Sequence, residues 1–247
     1  MILWKALLLV YGCIDVRLSE GEEDPDRFVH SLSELEVEDA LASFRHLPAL
    51  VADLSGGEAG LRQRVVTVER CLDSLTLMDD GLYWPSPSDT RVELDREAAP
   101  GTCDSVFVLW PQNHSRTGAQ VRSGGWGLAI GAGVSTNRAT YATVANASSA
   151  VWSEPVPGEV WLHEWLHGVC DHYARRGFGM PPGDADGGDR LGYRRETALG
   201  WSRYYRDLMT GRVLVRGRQT GITAQAWRSG STRLAGPPPP PSQRGTG

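Results

Sequence analysis

Hydrophobic residues run together in two short segments, as they do in strands that are buried on both faces of a sheet. One covers residues 1–16, and the clearer one, residues 105–110, is expected in the middle of a sheet. A further β-rich stretch at 64–69 follows the Gly56-Gly57 break. Residues 136–147 alternate apolar and polar side chains, a pattern that predicts an edge strand.

A helix is predicted for residues 33–47, where apolar side chains return at helical spacing. Ser33 and Glu36 have the spacing of a capping box, which fixes the start of this helix. Pro48 lacks a backbone N–H and is expected to end it.

Two further helices are predicted in the second half of the chain. The strongest pattern covers residues 158–176, with Gly177 placed to cap its end. Another helix is expected over 196–210. Residues 236–247 are rich in proline and cannot build a core, so we expect one domain over 1–235 followed by a disordered tail.

The helix predicted for 158–176 carries His163-Glu164-Trp165-Leu166-His167. Histidines four residues apart share one helix face and are separated by about 6 Å along the axis, so both can bind one metal ion. Glu164 would lie beside the metal, where its carboxylate can take a proton from metal-bound water. In a chain with only six histidines, composition alone gives this combination in about one chain in a hundred. A zinc site is therefore favoured over a buried helix with two incidental histidines.

Catalytic zinc usually has three protein ligands and one position for water. The next turn of the same helix lies about 10 Å along the axis, too far to close the site. An acidic, glycine-rich loop follows at 183–193, and we expect Asp186 to be the third ligand, with Asp189 and Glu196 as alternatives. The loop also resembles the start of a calcium-binding loop, but the downstream bidentate glutamate is missing.

Composition narrows the classes of partner. The formal net charge of −5 and a pI near 5.7 leave no basic surface, so neither nucleic acid nor an anionic membrane is expected as a partner. No segment is apolar for long enough to span a bilayer. The four cysteines lack a CxxC pair and are expected mainly as thiols, with one or two bridges left open. The chain's start favours a buried strand over an export signal, so a cytoplasmic location is favoured, with secretion or a lipid anchor left open.

The segment HEWLHGVC, the acidic loop ending in Gly192-Tyr193 and the downstream residues 200–209 together resemble the zincin metallopeptidases. The resemblance covers about residues 105–211. It implies an α+β fold in which a mixed sheet has an antiparallel edge strand that binds extended peptide, and in which the HExxH helix forms the active site.

Within the zincins, the match to any one subfamily is incomplete. A metzincin would have a glycine at the position of Cys170 and a metal-binding residue at the position of Tyr173. Aspzincins take an aspartate from a loop, which Asp186 or Asp189 resembles, and gluzincins take a glutamate from a second helix, which Glu196 resembles.

The resemblance and the motif together predict a zinc-dependent peptidase acting on a peptide or protein substrate. Glu164 is the expected general base. Tyr193 is the candidate donor to the oxyanion of the tetrahedral intermediate, although a core tyrosine is an equal expectation. The alternative is a zincin-like binding or interaction module without catalysis, which predicts a closed or incomplete metal site.

Overall fold

The computed structural model describes residues 1–18, 27–125, 127–132 and 137–234. The predicted tail at 236–247 lies outside the described residues. The strands are β1 (Ile2–Tyr11), β2 (Cys13–Arg17), β3 (Arg27–Ser31), β4 (Ala59–Val68), β5 (Thr76–Leu77), β6 (Tyr83–Trp84), β7 (Ser105–Trp110), β8 (Gly127–Ile130), β9 (Thr140–Ala145), β10 (Val213–Val215) and β11 (Arg218–Thr220). The helices are α1 (Glu34–Leu54), α2 (Arg91–Glu97), α3 (Ser149–Ser153), α4 (Glu159–Ala174), α5 (Ser202–Met209) and α6 (Ala224–Arg228).

The main sheet has five strands in the order β4-β1-β7-β9-β8. The first four are parallel, and β8 pairs antiparallel with β9 at one edge. The fold is therefore α+β with a mixed sheet and an antiparallel edge strand. The prediction that residues 105–110 form a central strand is confirmed, because β7 is the middle strand of the five.

Both faces of the sheet are covered, as the sequence of β1 illustrates. Leu8 and Val10 pack into the cluster that contains α1, α4 and α5, whereas Leu7, Leu9 and Tyr11 pack into a second cluster on the opposite face. Because successive side chains of a strand point to opposite faces, a strand buried on both sides is apolar throughout.

The edge strand predicted at 136–147 is wrong in position. The strand in this region is β9, which lies between β7 and β8, and all six of its residues are buried. Its polar residues made it resemble an edge, but the Thr140 hydroxyl donates to Ser105 Oγ at 2.8 Å and is satisfied inside the fold. The edge strand is β8, which comes from the preceding glycine-rich segment.

Pro48 does not end α1, which continues to Leu54. A proline inside a helix leaves the carbonyl four residues earlier without its usual donor. Here the side-chain amide of Gln63, on the neighbouring strand β4, donates to the Phe44 carbonyl and replaces that bond. The capping box of Ser33 and Glu36 is confirmed at the start of the helix.

The predicted helix over 158–176 is confirmed as α4, but α5 begins at Ser202 rather than near Glu196. Glu196 and Gly200 exchange two backbone hydrogen bonds of 2.9 Å, which close a turn before the helix. Gly200 has a φ of 53°, a left-handed conformation that helical backbone does not use. In the described part of the chain, no helix is both long and apolar enough to cross a membrane.

The cysteines divide into one bonded pair and two thiols. Cys13 and Cys71 form a disulfide bond between the start of β2 and the segment after β4. Cys103 and Cys170 are buried free thiols. The expectation of thiols therefore holds for two of the four cysteines.

Candidate metal centre

His163 and His167 lie on one face of α4, and their side chains converge. Their two Nε2 atoms are 3.3 Å apart, and the two imidazole planes are perpendicular. The helix is held against the sheet by its other faces, where Trp161, Trp165 and Leu166 are fully buried. The four-residue spacing thus places two nitrogen donors at one point on the surface of the helix.

Asp186 joins the two histidines from the loop that follows α4. It lies in a short 3-10 helix, Asp184–Gly187, and its Oδ1 is 3.3 Å from His163 Nε2. Its Oδ2 is 3.7 Å from His167 Nε2. Hydrogen bonding to His163 lowers the pKa of Asp186, so this carboxylate is ionised at neutral pH. The chain can turn back here because Gly183 takes a φ of 80°.

The outward-facing Nδ1 atoms of both histidines have hydrogen-bond partners. The Nδ1 atom of His167 bonds the Asp184 carboxylate, and that of His163 lies 2.8 Å from the Tyr205 hydroxyl. The Asp184 carboxylate accepts the Nδ1 proton of His167 and leaves its Nε2 lone pair free for a metal, and the Tyr205 hydroxyl fixes the orientation of the His163 ring. Burial lowers the pKa of His167, but Asp184 and the nearby carboxylates outweigh this and raise it overall.

The three donor atoms fit a zinc ion. Two imidazole nitrogens and one carboxylate oxygen are ordinary zinc ligands, and around a tetrahedral ion with bonds of about 2.0–2.1 Å they would lie about 3.3 Å apart. His163 Nε2 is 3.3 Å from both His167 Nε2 and Asp186 Oδ1. In the described part of the chain, no other group of three His, Cys, Asp or Glu side chains meets in this way.

Glu164 lies beside this group and faces the same cleft. Its side chain is only 5% exposed, and it has no hydrogen-bond partner among the described residues. Burial raises the pKa of Glu164, although His163 and His167 oppose the rise. The carboxyl packs against the backbone of β8 at Gly127, where a Cβ atom would overlap it. Glycine at this position is therefore required for the close approach of edge strand and helix.

An open cleft of about 1430 Å³ surrounds the group. Strand β8 forms one wall through Gly127, Leu128 and Ala129. Glu159 on the first turn of α4 and Trp201 just before α5 also line the cleft. The three donor residues are therefore accessible to a substrate.

Three residues named as candidates from the sequence lie away from the donor group. Tyr193 donates its hydroxyl to Asp207 at 2.7 Å, and burial together with this bond raises its pKa to about 12. Asp189 is exposed and outside the group. Glu196 lines the cleft but is held in the turn before α5, so it does not reach the histidines.

Two residues at the site had no signal in the sequence. Tyr205 lies on α5, and the sequence assigned it no role beyond membership of the predicted helix and of the segment 200–209. Asp184 belongs to the acidic loop, in which several aspartates looked equivalent. Its φ of 35° and its bond to His167 depend on how the loop folds back. Only the packed structure distinguishes it from its neighbours.

The chain was also compared with known proteins. It matches no protein-family model, and no curated protein is significantly similar to it. Function is therefore inferred from the chemistry of the site.

Proposed function

We propose that this protein is a zinc-dependent peptidase with a zincin-like active site. The observation that carries the proposal is the meeting of three donor atoms at the spacing of tetrahedral zinc ligands, next to a buried carboxylate without a partner. In the metal-free fold Asp186 bonds His163, but the two facing Nε2 atoms and the unpaired carboxylate of Glu164 are unfavourable. Both are explained if a metal ion and a water molecule complete the site.

In this proposal, His163, His167 and Asp186 hold the zinc ion. When bound, zinc polarises the scissile carbonyl and makes a water molecule acidic enough to attack at neutral pH. Glu164, which lines the same cleft, would accept the proton of that water and deliver it to the leaving amine. The Tyr205 hydroxyl and the Asp184 carboxylate keep the two imidazoles in the orientation that binds metal.

The position of β8 favours a peptide as the substrate. This strand ends the sheet in the described part of the chain, and it forms a wall of the cleft beside Glu164. Its outer edge offers backbone N–H and C=O groups that an extended peptide can pair with. A peptide bound in this way would have its backbone near Glu164, which packs against Gly127 of β8.

A hydrolysis assay tests the proposal. The zinc-loaded protein is incubated with a quenched-fluorescent peptide library and with unfolded casein, before and after zinc is removed by a chelator. We expect cleavage that stops on zinc removal and returns when zinc is restored. The His163→Ala variant, purified in the same way, should be inactive, which excludes a contaminating protease.

Two results would contradict the proposal. Cleavage that continues in His163→Ala would come from another protein. Peptide binding without hydrolysis by the zinc-loaded protein would instead support a zincin-like binding module.

A further inference from the structure

The cleft beside the donor group is strongly acidic. In its described lining there are seven carboxylates but only one guanidinium, that of Arg195. Glu164, Asp184 and Asp186 belong to the metal site, which leaves four carboxylates with no part in the proposed chemistry. The charge of the cleft is therefore more negative than zinc binding requires.

One of these four is neutralised within the fold. Asp171 lies two turns after Glu164 on α4, and Arg175 Nε donates to both of its carboxylate oxygens, at 2.7 and 2.9 Å. Its carboxyl also packs against Gly131, just after β8. Asp171 therefore has a structural partner at the far end of the cleft.

The other three, Glu154, Glu159 and Glu196, line the end of the cleft near the first turn of α4, which we call the acidic end. Glu159 is its central member. It lies four residues before His163, so its side chain is on the same helix face, about 6 Å along the axis from the metal site. A substrate bound at the metal can therefore reach it.

Glu159 is largely buried, but its partners compensate its negative charge only in part. Its side chain is only 12% exposed, and its carboxylate accepts a hydrogen bond from the Trp201 backbone N–H. The nearest cation, Arg195 Nη2, is 3.9 Å away on a side chain that is 53% exposed. Burial raises the pKa of Glu159 in spite of these contacts. A cation placed in the cleft would supply the missing compensation.

A second observation also indicates a ligand in this cleft. Glu164, one turn further along α4 than Glu159, is buried with no hydrogen-bond partner among the described residues and faces the same space. Burying an unpartnered carboxylate is costly, so the cleft is built to be completed by bound groups. The acidic end and the metal site thus belong to one open binding region.

We propose that the acidic end selects substrates with a cationic group, either a lysine or arginine side chain or a free α-ammonium, which binds to Glu159 while the metal site holds the scissile bond. The inference rests on the proposed peptidase function and adds its substrate class. Glu154, which is exposed, adds negative charge around the entering cation, and Glu196 adds less because Arg203 Nη1 lies 3.8 Å from its carboxylate. Anionic side chains are disfavoured at this position for the same reason.

Binding to an inactive protein tests the inference without requiring turnover. The zinc-loaded Glu164→Gln variant is titrated with Ac-Ala-Ala-Lys-Ala-Ala-NH2, with the same peptide carrying arginine or norleucine in place of lysine, and with amidated penta-alanine bearing a free or an acetylated amino terminus. A charge-assisted hydrogen bond should make at least one cationic probe bind about tenfold or more tightly than its neutral match. The side-chain pair and the amino-terminal pair distinguish the two sources of the cation.

Substitution of Glu159 assigns the effect to this residue. Adding Glu159→Gln keeps an oxygen for the Trp201 N–H but removes the charge, so the preference for the cationic probe should disappear while the neutral probe binds as before. Glu38→Gln, which makes the same charge change at an exposed position on α1, should leave the preference intact. Melting temperature and near-ultraviolet circular dichroism check that each variant is folded.

Several outcomes would overturn the inference. Equal binding of cationic and neutral probes would do so even if Glu159→Gln failed to fold, since that comparison uses Glu164→Gln alone. The inference would also be overturned if Glu159→Gln retained the preference for the cationic probe, or lost affinity equally for both probes. The absence of binding by any probe would overturn it as well. Failure of the wild-type protein to hydrolyse peptides would instead contradict the proposed function. It would not change the result of the binding comparison.

Discussion

Two glutamates are buried among the residues that the structure describes, and their surroundings are opposite. Glu93, 2% exposed, accepts hydrogen bonds from the Tyr11 hydroxyl at 2.6 Å and from Arg70 Nε and Nη2, both at 2.8 Å. Glu164, 5% exposed, has no such partner in the part of the chain that the structure describes. Burial raises the pKa of both carboxyls, but the bonds to Arg70 and Tyr11 outweigh burial at Glu93 and lower its pKa, whereas the pKa of Glu164 is raised.

The comparison distinguishes a glutamate that is buried to hold parts of the fold together from one whose burial serves the proposed metal site. A buried carboxylate that has an arginine and a tyrosine as partners holds elements together, in this case β1, the segment after β4 and α2. A buried carboxylate without partners weakens the fold unless something else binds to it. Because Glu164 lies next to two histidines and an aspartate, the missing partners are interpreted as metal and water.

The largest expected difference between the two glutamates is in catalysis. Glu164→Gln keeps size and hydrogen bonding but cannot accept a proton, so peptide hydrolysis should fall by about 10²- to 10⁴-fold with zinc still bound. Glu93→Gln should leave turnover per folded molecule near wild type. Initial rates and zinc content of both variants are the measurement. Full activity in Glu164→Gln would remove Glu164 from the mechanism.

Folding stability should show the reverse order. Glu93→Gln weakens charged hydrogen bonds to a buried carboxylate and should lower the free energy of unfolding by about 2 kcal/mol, because Arg70 is 31% exposed and also bonds Asp73. Glu164→Gln should leave the stability of the metal-free protein unchanged or raise it. Urea denaturation of the metal-free proteins measures both changes. Equal losses in the two variants would mean that Glu164 has a structural partner.

Zinc affinity should reveal the residues that orient the histidines. Asp184→Asn removes the carboxylate charge next to His167 Nδ1, and the loss of such a partner typically lowers metal affinity about 10- to 100-fold. Asp207→Asn, which changes the acceptor of Tyr193 in the same chemical way, is the matched control. Competition with a chromophoric chelator measures both variants. Asp184 would have no orienting role if the two affinities were equal.

Stability should also depend on pH in opposite ways at the two glutamates. Glu93 adds to the free energy of unfolding at pH values above its pKa in the unfolded chain, near 4.5. This contribution is lost as the pH falls through its lowered pKa in the folded protein. Burial of Glu164 does not reduce the free energy of unfolding at low pH. The reduction grows as the pH rises from 4.5 through the raised pKa of Glu164 in the folded protein. Glu93→Gln should therefore destabilise the metal-free protein less at acidic pH, and Glu164→Gln should stabilise it more at neutral pH. Denaturation across this range would contradict the assignment if both variants had the same trend.

The smallest effect is expected at the tyrosine that the sequence suggested. Tyr193→Phe removes one hydrogen bond to Asp207 and should cost about 1 kcal/mol of stability, with zinc affinity and turnover unchanged. Tyr205→Phe removes the partner of His163 and should lower zinc affinity instead. Zinc titration and thermal denaturation of the pair distinguish them. A zinc affinity reduced by Tyr193→Phe alone would reverse the two assignments.

The sequence alone predicted the parts of the structure that depend on local spacing. The central position of β7 follows from its unbroken apolar run, and the shared face of His163 and His167 follows from helical geometry. Asp186 could be selected from its loop only as an expectation. Its place next to the histidines depends on how the chain folds back after α4.

Features set by contacts between distant segments were not predictable. The continuation of α1 past Pro48 depends on Gln63, which lies on another strand. That β8 and not β9 is the edge strand depends on the burial of the threonines of β9. That Tyr205 and not Tyr193 lies next to His163 depends on the packing of α5 against α4. None of these contacts leaves a periodic or compositional signal in the chain.

The most direct test of the metal site is a zinc-binding titration that compares Asp186→Ala with Asp189→Ala. Both variants remove one exposed carboxylate from the same short loop, but only Asp186 lies within reach of His163 and His167. We expect one zinc ion per wild-type chain, wild-type affinity in Asp189→Ala, and a loss of affinity of about tenfold or more in Asp186→Ala. Zinc binding that is unchanged in Asp186→Ala, or absent from the wild-type protein, would contradict the proposed zinc site.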